Sequence, residues 1–184
     1  MAIEVEKKYR LTSERRDALL RRLAELGCTP EGLEEFEENI LYTGDALDAR
    51  TSILRLRRTG TRALLTYKER LVSDSAVKRR REDETEVGDP DALASILEGL
   101  GLRPTLVYEK RRTTWRVAGV ELVIDELPFG LFAEIEGDEQ AIEEAERLLH
   151  LTDADAVDDT YPALTARHGT PNGGLVEARF EPKD

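Results

Sequence analysis

The sequence contains a single cysteine, Cys28, and few aromatic residues, which make up 5% of the chain. One cysteine excludes both an intrachain disulfide and a zinc site built from several cysteines, and it fits a reducing cytoplasm. No hydrophobic run is long enough to cross a bilayer. The first residues include Glu4 and Glu6 where a signal peptide would need an apolar stretch. We therefore expect a cytoplasmic protein without a membrane partner.

Positive charge is also scarce, because 27 Lys and Arg residues stand against 39 Asp and Glu residues, which gives a net charge of −12. Nucleic acids and anionic membrane surfaces would repel such a protein, so neither is expected as a partner. The net charge describes the outside of the molecule and does not exclude a concentration of cations inside it. The expected oligomeric state is a monomer or a homodimer.

The pattern of hydrophobic residues predicts an α+β protein. Its 184 residues, 40% hydrophobic and 36% charged, are enough for one sizeable domain, which we expect over residues 1–168, followed by a loose tail over 169–184. Apolar residues at helical spacing predict helices after Ser13, Asp89 and Asp138, and a last helical turn at 161–167. Alternating residues predict strands at 1–10, 39–43, 53–58, 62–68, 77–87, 108–117, 120–127 and 131–136.

The first strand has an unusual charged face. Because side chains alternate along a strand, two glutamates share this face with two cations, whereas the other face is mostly apolar. The usual explanation is a half-buried antiparallel strand whose charged face is solvated. The same pattern recurs on later strands, however, while the helices carry apolar stripes that need a partner. The charged face of the first strand holds Glu4, Glu6, Lys8 and Arg10.

These recurring faces predict an antiparallel sheet with helices on its apolar outside and charge lining the space that it encloses. Water and a polar ligand must fill such a space, because isolated buried ions are too costly. Carboxylates suit hard cations such as Mg²⁺ or Mn²⁺, and arginines and lysines suit phosphate oxygens, so a metal–polyphosphate complex is the predicted ligand. The acidic set is Glu4, Glu6, Glu84, Glu86, Asp125, Glu134 and Glu136, and the basic set is Lys8, Arg55, Arg57, Lys68, Lys110 and Arg112.

The order of these motifs resembles the CYTH proteins, also called triphosphate tunnel metalloenzymes, a superfamily that includes class IV adenylate cyclases and thiamine triphosphatases. E-x-E-x-K alone would be a weak signal, but further motifs follow in the family's order, and the resemblance covers residues 1–168. The motifs are E-x-E-x-K at Glu4, Glu6 and Lys8, L-R-L-R at Arg55 and Arg57, T-Y-K at Lys68, K-R-R at Lys110 and Arg112, V-I-D-E-L at Asp125, F-A-E-I-E-G at Glu134 and Glu136, and D-T-Y-P-A-L near the end.

The resemblance implies a closed antiparallel β-barrel tunnel and a reaction on triphosphates that depends on Mg²⁺ or Mn²⁺. It implies that Glu4, Glu6 and Lys8 are catalytic. It further implies metal ligands at Glu4, Glu6, Asp125, Glu134 and Glu136, together with one glutamate of the 77–87 strand, for which we take Glu84 and leave Glu82 and Glu86 open. The implied triphosphate ligands are Lys8, Arg55, Arg57, Lys68, Lys110 and Arg112.

Three functions follow from this resemblance. The leading one is a triphosphatase acting on inorganic triphosphate or on a small organic or nucleoside triphosphate. The second is a class IV-type adenylate cyclase that makes cyclic AMP and pyrophosphate from ATP. The third is a polyphosphate- or nucleotide-binding module without catalysis, which the large acidic set disfavours. His150 and His168 are expected to be non-catalytic, Trp115 is expected in the core, and Tyr161 has no assigned role.

Overall fold

The computed structural model describes residues 5–48, 51–60, 62–71, 79–151 and 155–181. This part of the chain is α+β, with a large, mainly antiparallel sheet and four helices, as predicted. The elements are β1 (Val5–Leu11), α1 (Ser13–Glu25), β2 (Glu35–Thr43), β3 (Ser52–Thr59), β4 (Ala63–Leu71), β5 (Arg79–Glu86), α2 (Pro90–Gly99), β6 (Arg103–Val117), β7 (Val120–Leu127), β8 (Gly130–Gly137), α3 (Glu139–Leu149), α4 (Tyr161–His168), β9 (Thr170–Asn172) and β10 (Leu175–Ala178).

The chain divides into two compact units. Within the described ranges, unit 1 comprises residues 37–109 and 162–181, and unit 2 comprises residues 5–36 and 110–161. The long strand β6 therefore contributes its first half to unit 1 and its second half to unit 2. In the described residues, no helix is long and apolar enough to cross a membrane.

Local capping explains where three helices begin. The Thr12 side chain accepts a hydrogen bond from the backbone N–H of Arg15 at 3.2 Å, and Asp138 accepts one from Ala141 at 2.8 Å. Asp89 accepts from Ala92 at 2.9 Å, and a proline follows it, where the missing N–H costs nothing. Each cap satisfies donors that the first helical turn leaves unpaired. These three predicted helices are confirmed.

In unit 2 the strands are hydrogen-bonded in the order β1-β8-β7-β6, and all these pairs are antiparallel. Each strand turns its apolar side chains toward α1 and α3, which cover that face of the sheet. Trp115 lies in this core, as the sequence predicted. The main buried residues are Tyr9, Leu19, Leu23, Trp115, Leu122, Ile135, Ile142 and Leu149.

In unit 1 the strands β2, β3, β4 and β5 form consecutive antiparallel pairs, and β2 also neighbours β6. The apolar face packs against α2 through Leu97 and against Leu102, which follows that helix. β2 begins four residues before the predicted start at Asn39, and β6 begins at Arg103. Both starts were missed, since acidic residues precede the alternation in β2 and Pro104 interrupts it in β6.

The carboxyl-terminal residues differ from the predicted loose tail. β10 pairs in parallel with β6, with Val176 opposite Leu106, and β9 pairs with β10. After β10, the Arg179 guanidinium contacts carboxylates of Glu38, Glu109 and Glu177. The loose-tail interpretation was wrong for residues 170–178, because pairing with β6 orders two strands that are too short and polar to be recognised alone. The domain boundary at residue 168 stays a prediction.

The core of unit 2 gives a direct stability prediction. Leu23 on α1 is 1% exposed within this core, whereas Leu33 is 94% exposed. We expect Leu23→Ala to lower the free energy of unfolding by about 2–5 kcal/mol, because the substitution leaves a cavity. Leu33→Ala is the matched control and should leave the urea unfolding midpoint almost unchanged. Equal midpoints for the two variants would contradict the packing of α1 described above.

Candidate active site

The polar face of the unit 2 sheet collects seven of the predicted site residues. In antiparallel strands, residues directly opposite each other point to the same face, so the register alone brings these side chains together. Lys8 is opposite Glu134, Asp125 is opposite Arg112, and Glu6 is opposite Glu136. The seven are Glu6 and Lys8 on β1, Lys110 and Arg112 on β6, Asp125 on β7, and Glu134 and Glu136 on β8.

Asp125 lies at the centre of this group and is fully buried. Its two oxygens accept a bidentate pair of hydrogen bonds from Arg112, at 2.7 and 2.6 Å. The Lys110 Nζ atom lies 3.6 Å from one of these oxygens, and the Tyr161 hydroxyl donates to the same oxygen at 2.8 Å. Burial would raise the pKa of Asp125, but Lys110 and Arg112 hold it well below its usual range. Asp125 is therefore an anion at neutral pH.

Glu134 joins a second cation to this network. One of its oxygens lies 3.2 Å from the Lys8 Nζ atom, and the other accepts from Arg112 at 2.8 Å. Lys8 also donates to the backbone oxygen of Asp159 at 3.1 Å. Three cations thus share two carboxylates, and their N–H donors suit an anion with several oxygens, such as a polyphosphate.

Glu6 and Glu136 form a different kind of acidic pair. Both side chains are exposed, and they are opposite each other on adjacent strands, a relation that places Cβ atoms about 5 Å apart. Like charges directly opposite each other destabilise a strand pair, and a bound divalent cation would relieve that repulsion. Mg²⁺ binds one or two carboxylates and completes its shell with waters and substrate phosphates, so this donor pair fits it.

The other predicted metal ligands are placed differently. Glu4 lies outside the described residues. Asp125 uses its oxygens on Arg112, Lys110 and Tyr161, so in this arrangement it orders cations. Across the residues that the structure describes, no group of three or more His, Cys, Asp or Glu side chains is arranged to hold a metal. Among the described residues, Glu6 and Glu136 are the exposed carboxylates of this face that face each other, and they are therefore the donors on which we base a metal site.

Unit 1 contains the remaining predicted residues that the structure describes, on its own polar face. Arg55 donates to the Thr66 hydroxyl at 3.4 Å, and this hydroxyl donates to Glu84 at 2.7 Å. The Lys68 Nζ atom lies 2.7 Å from a Glu82 oxygen. Glu84 is therefore in unit 1, whereas Asp125, Glu134 and Glu136 are in unit 2.

Sequence reasoning missed two buried polar residues on β2. Glu37 and Asn39 are almost completely buried, and the Asn39 amide donates to Glu37 at 3.3 Å. The Arg57 Nε atom lies 3.4 Å from the same Glu37 oxygen. The buried Asn39 Oδ1 and Arg55 Nε atoms have no hydrogen-bond partner, which is unusual in a folded protein. The sequence feature that could have identified them is the alternation in E-F-E-E-N-I-L-Y-T, which places Glu37 and Asn39 on one face of the strand.

Tyr161 was also left without a role, although its motif was recognised. Its ring lies 4.1 Å from the Lys8 Nζ atom and 5.5 Å from the Lys110 Nζ atom, measured to the ring centroid. Burial, followed by the charges of Asp125 and Glu134, raises the pKa of Tyr161 well above 10. The phenol therefore stays protonated and acts as a hydrogen-bond donor at neutral pH.

Comparison with solved structures supports this description of the fold. A protein from Pyrococcus horikoshii OT3 is 26% identical, with a TM-score of 0.72 over 86% of this chain and 96% of that one. A proposed adenylate cyclase from Vibrio parahaemolyticus is 26% identical, with a TM-score of 0.67 over 86% and 95%. A proposed adenylyl cyclase from Hippeastrum, for which a dominant triphosphatase activity is stated, is 22% identical, with a TM-score of 0.59 over 82% and 85%. At that identity, the likeness concerns the fold alone.

Family-level comparison goes further than these individual structures. No curated protein matches the chain. Residues 2–161 match the CYTH domain, which confirms the resemblance carried by the sequence motifs. Because this match spans most of the 184 residues, the protein belongs to the CYTH domain family.

Proposed function

We propose that this protein hydrolyses a small triphosphate with the help of Mg²⁺ or Mn²⁺. The observation that carries the proposal is the unit 2 cluster, in which Asp125 and Glu134 hold three cations on the sheet face that also bears Glu6 and Glu136. Such a set provides donors for phosphate oxygens and exposed carboxylates for a hard cation. The proposal includes the closed tunnel that membership of the family implies. The proposed substrate is inorganic triphosphate or a small organic or nucleoside triphosphate.

The positive side chains of unit 2 bind the phosphates in this proposal. Arg112 presents a planar fork, and Lys8 and Lys110 add two compact charges on the same face. These cations neutralise negative charge as it shifts toward the leaving phosphate, and their carboxylate partners hold them on this face before the substrate binds. Phosphate oxygens replace part of the contacts that Asp125 and Glu134 make before binding.

Glu6 and Glu136 hold the divalent cation, together with Glu4, whose structure is outside the described residues. A divalent cation held by these residues would supply charge for the phosphate oxygens and would activate a water molecule as the nucleophile. The catalytic residues of this proposal are Glu4, Glu6 and Lys8, as the resemblance implies; Glu6 and Lys8 are two residues apart on β1 and point to the same face.

The proposal also keeps the roles that the resemblance gives to polar residues of unit 1. Arg55, Arg57 and Lys68 bind phosphate oxygens, and Glu84 contributes to metal binding. The Thr66 hydroxyl links Arg55 to Glu84, so a change at either residue is felt by the other. The Arg55 Nε atom is buried without a hydrogen-bond partner, which is costly for a charged group.

The first test is the reaction itself. Purified protein is incubated with inorganic triphosphate, thiamine triphosphate and ATP in turn, each with Mg²⁺, with Mn²⁺ and with EDTA. We expect release of orthophosphate that requires the metal. Cyclic AMP and pyrophosphate from ATP would instead favour the cyclase that the similarity to the Vibrio protein suggests. Binding without turnover of any substrate would favour a non-catalytic binding module.

A second prediction separates metal binding from phosphate binding. Glu6→Gln keeps the shape of the side chain but removes one charge from the Glu6–Glu136 pair. We expect turnover to fall by about a hundredfold or more, the size of effect seen when a group that stabilises transition-state charge is lost. Affinity for inorganic triphosphate in EDTA, measured by calorimetry, should change little. Glu144→Gln on α3 is the matched control, because that glutamate is paired with Arg147 on an exposed helix surface. Full activity of Glu6→Gln would rule out this metal assignment.

A third prediction concerns the shape of the Arg112 fork. Arg112→Lys keeps the charge but loses the bidentate geometry on Asp125, so we expect the KM for the triphosphate to rise by about tenfold. The adjacent Arg111 points to the other face of β6, where it pairs with Glu126. Arg111→Lys should therefore leave the KM within about threefold of the wild type. An equal effect of both substitutions would show that the fork has no special role.

A further inference from the structure

Residues 155–161 lie along β1 and bring Tyr161 onto the polar face of unit 2. Ala156 forms a bridge with Tyr9, and the backbone N–H of Val157 donates to the Lys8 carbonyl at 2.8 Å. The backbone oxygen of Asp159 then accepts from the Lys8 side chain. Residues 157 and 159 thus bind Lys8 at its backbone and at its ammonium group. Because Tyr161 ends this segment, its position is coupled to that of Lys8.

The Tyr161 ring contacts two ammonium groups at once. Its centroid is 4.1 Å from the Lys8 Nζ atom and 5.5 Å from the Lys110 Nζ atom, and both lysines are buried. The ring is held in turn by Phe132, which packs edge to face with centroids 5.5 Å apart. An aromatic face attracts cations most strongly where water is excluded, so this ring offsets part of the repulsion between the lysines.

The hydroxyl group of the same residue contacts the anion of the network. It donates to Asp125, the carboxylate that also holds Lys110 and Arg112. One side chain therefore touches two proposed phosphate ligands with its ring and the carboxylate that orders two of them with its hydroxyl. The proposed hydrolysis assigns no step to this residue.

We propose that Tyr161 is a positioning residue that sets the affinity for the polyphosphate by holding the Lys8 and Lys110 ammonium groups against its ring. Lysine has a long, flexible side chain, and fixing it on binding costs affinity. Because Tyr161 fixes both ammonium groups beforehand, the polyphosphate binds to an ordered pair of charges. The inference rests on the proposed function in one respect, namely that the ligand of these lysines is a polyphosphate.

The test changes the electrostatics of the ring without changing its size. The variants are Tyr161→Phe and three further forms in which the phenylalanine at this position carries one, three or five ring fluorines. Inorganic triphosphate is titrated into each variant in EDTA by calorimetry. We expect the affinity of Tyr161→Phe for triphosphate to be within about threefold of the wild-type affinity. With fluorination the affinity should fall stepwise, by about tenfold at five fluorines, because the ring loses its attraction for cations. With metal added, KM should follow this trend and kcat should change less.

Tyr9 provides a matched control on the opposite face of β1. Its ring also lies near a lysine, Lys7 at 5.7 Å, and its hydroxyl also donates to a carboxylate, Glu146 at 2.6 Å. The same fluorinated series at Tyr9 should leave the affinity for triphosphate unchanged, whatever it does to the melting temperature.

The outcomes separate this inference from the proposed function. An affinity that is equal across the Tyr161 series in folded protein would overturn the inference and leave the proposed hydrolysis intact. Failure of the wild type to bind triphosphate in EDTA would also overturn it. Stepwise loss of affinity in a protein that never turns over a triphosphate would support the inference and defeat the proposed hydrolysis. Melting temperatures of all variants identify any that do not fold, and the trend among the remaining ring variants then decides.

Discussion

The buried carboxylate of Asp125 is the constraint on which the rest of the unit 2 site depends. A lone carboxylate in this position would cost several kcal/mol, so it requires compensating donors. Arg112 supplies two hydrogen bonds, Tyr161 supplies one, and Lys110 supplies a nearby charge. Each of these groups is fixed in return. One buried anion therefore arranges an arginine and a lysine of β6 and an aromatic ring of α4 before any ligand binds.

Such a cluster adds little to stability, because the attraction between its charges is largely offset by their loss of water. The stability of unit 2 comes instead from the other face of the same strands, where Tyr9, Leu122 and Ile135 are fully buried beneath the helices. Because side chains alternate along a strand, one segment carries both the apolar face that stabilises the unit and the charged face that forms the cluster. The apolar face fixes the register, and the register determines which charges meet on the polar face.

Which residues share one face of a strand could be predicted from the sequence, because side chains alternate with a period of two. Lys8, Arg112 and Glu134 were assigned to charged faces in this way. Their partners could not be predicted, since Lys8 meets Glu134 only through pairing between strands that are far apart in sequence. Glu37 and Asn39 were overlooked, because neighbouring acidic residues mask the alternation of β2. The strands β9 and β10 were missed since they form only by pairing, β10 with β6 and β9 with β10. The motifs identified the family, but they assigned no role to Tyr161.

The acidic residues, which the sequence treats as one set, divide by exposure into two kinds. Asp125 is buried and Glu134 is partly buried, and each is engaged by more than one cation, whereas Glu6 and Glu136 are exposed and opposite each other. A carboxylate that orders cations must be shielded from water, because screening weakens an ion pair. A carboxylate that holds an exchangeable metal with its waters must stay accessible to solvent and substrate. In the proposed function, the same chemical group thus performs two tasks, and the depth of its position on the sheet decides which one.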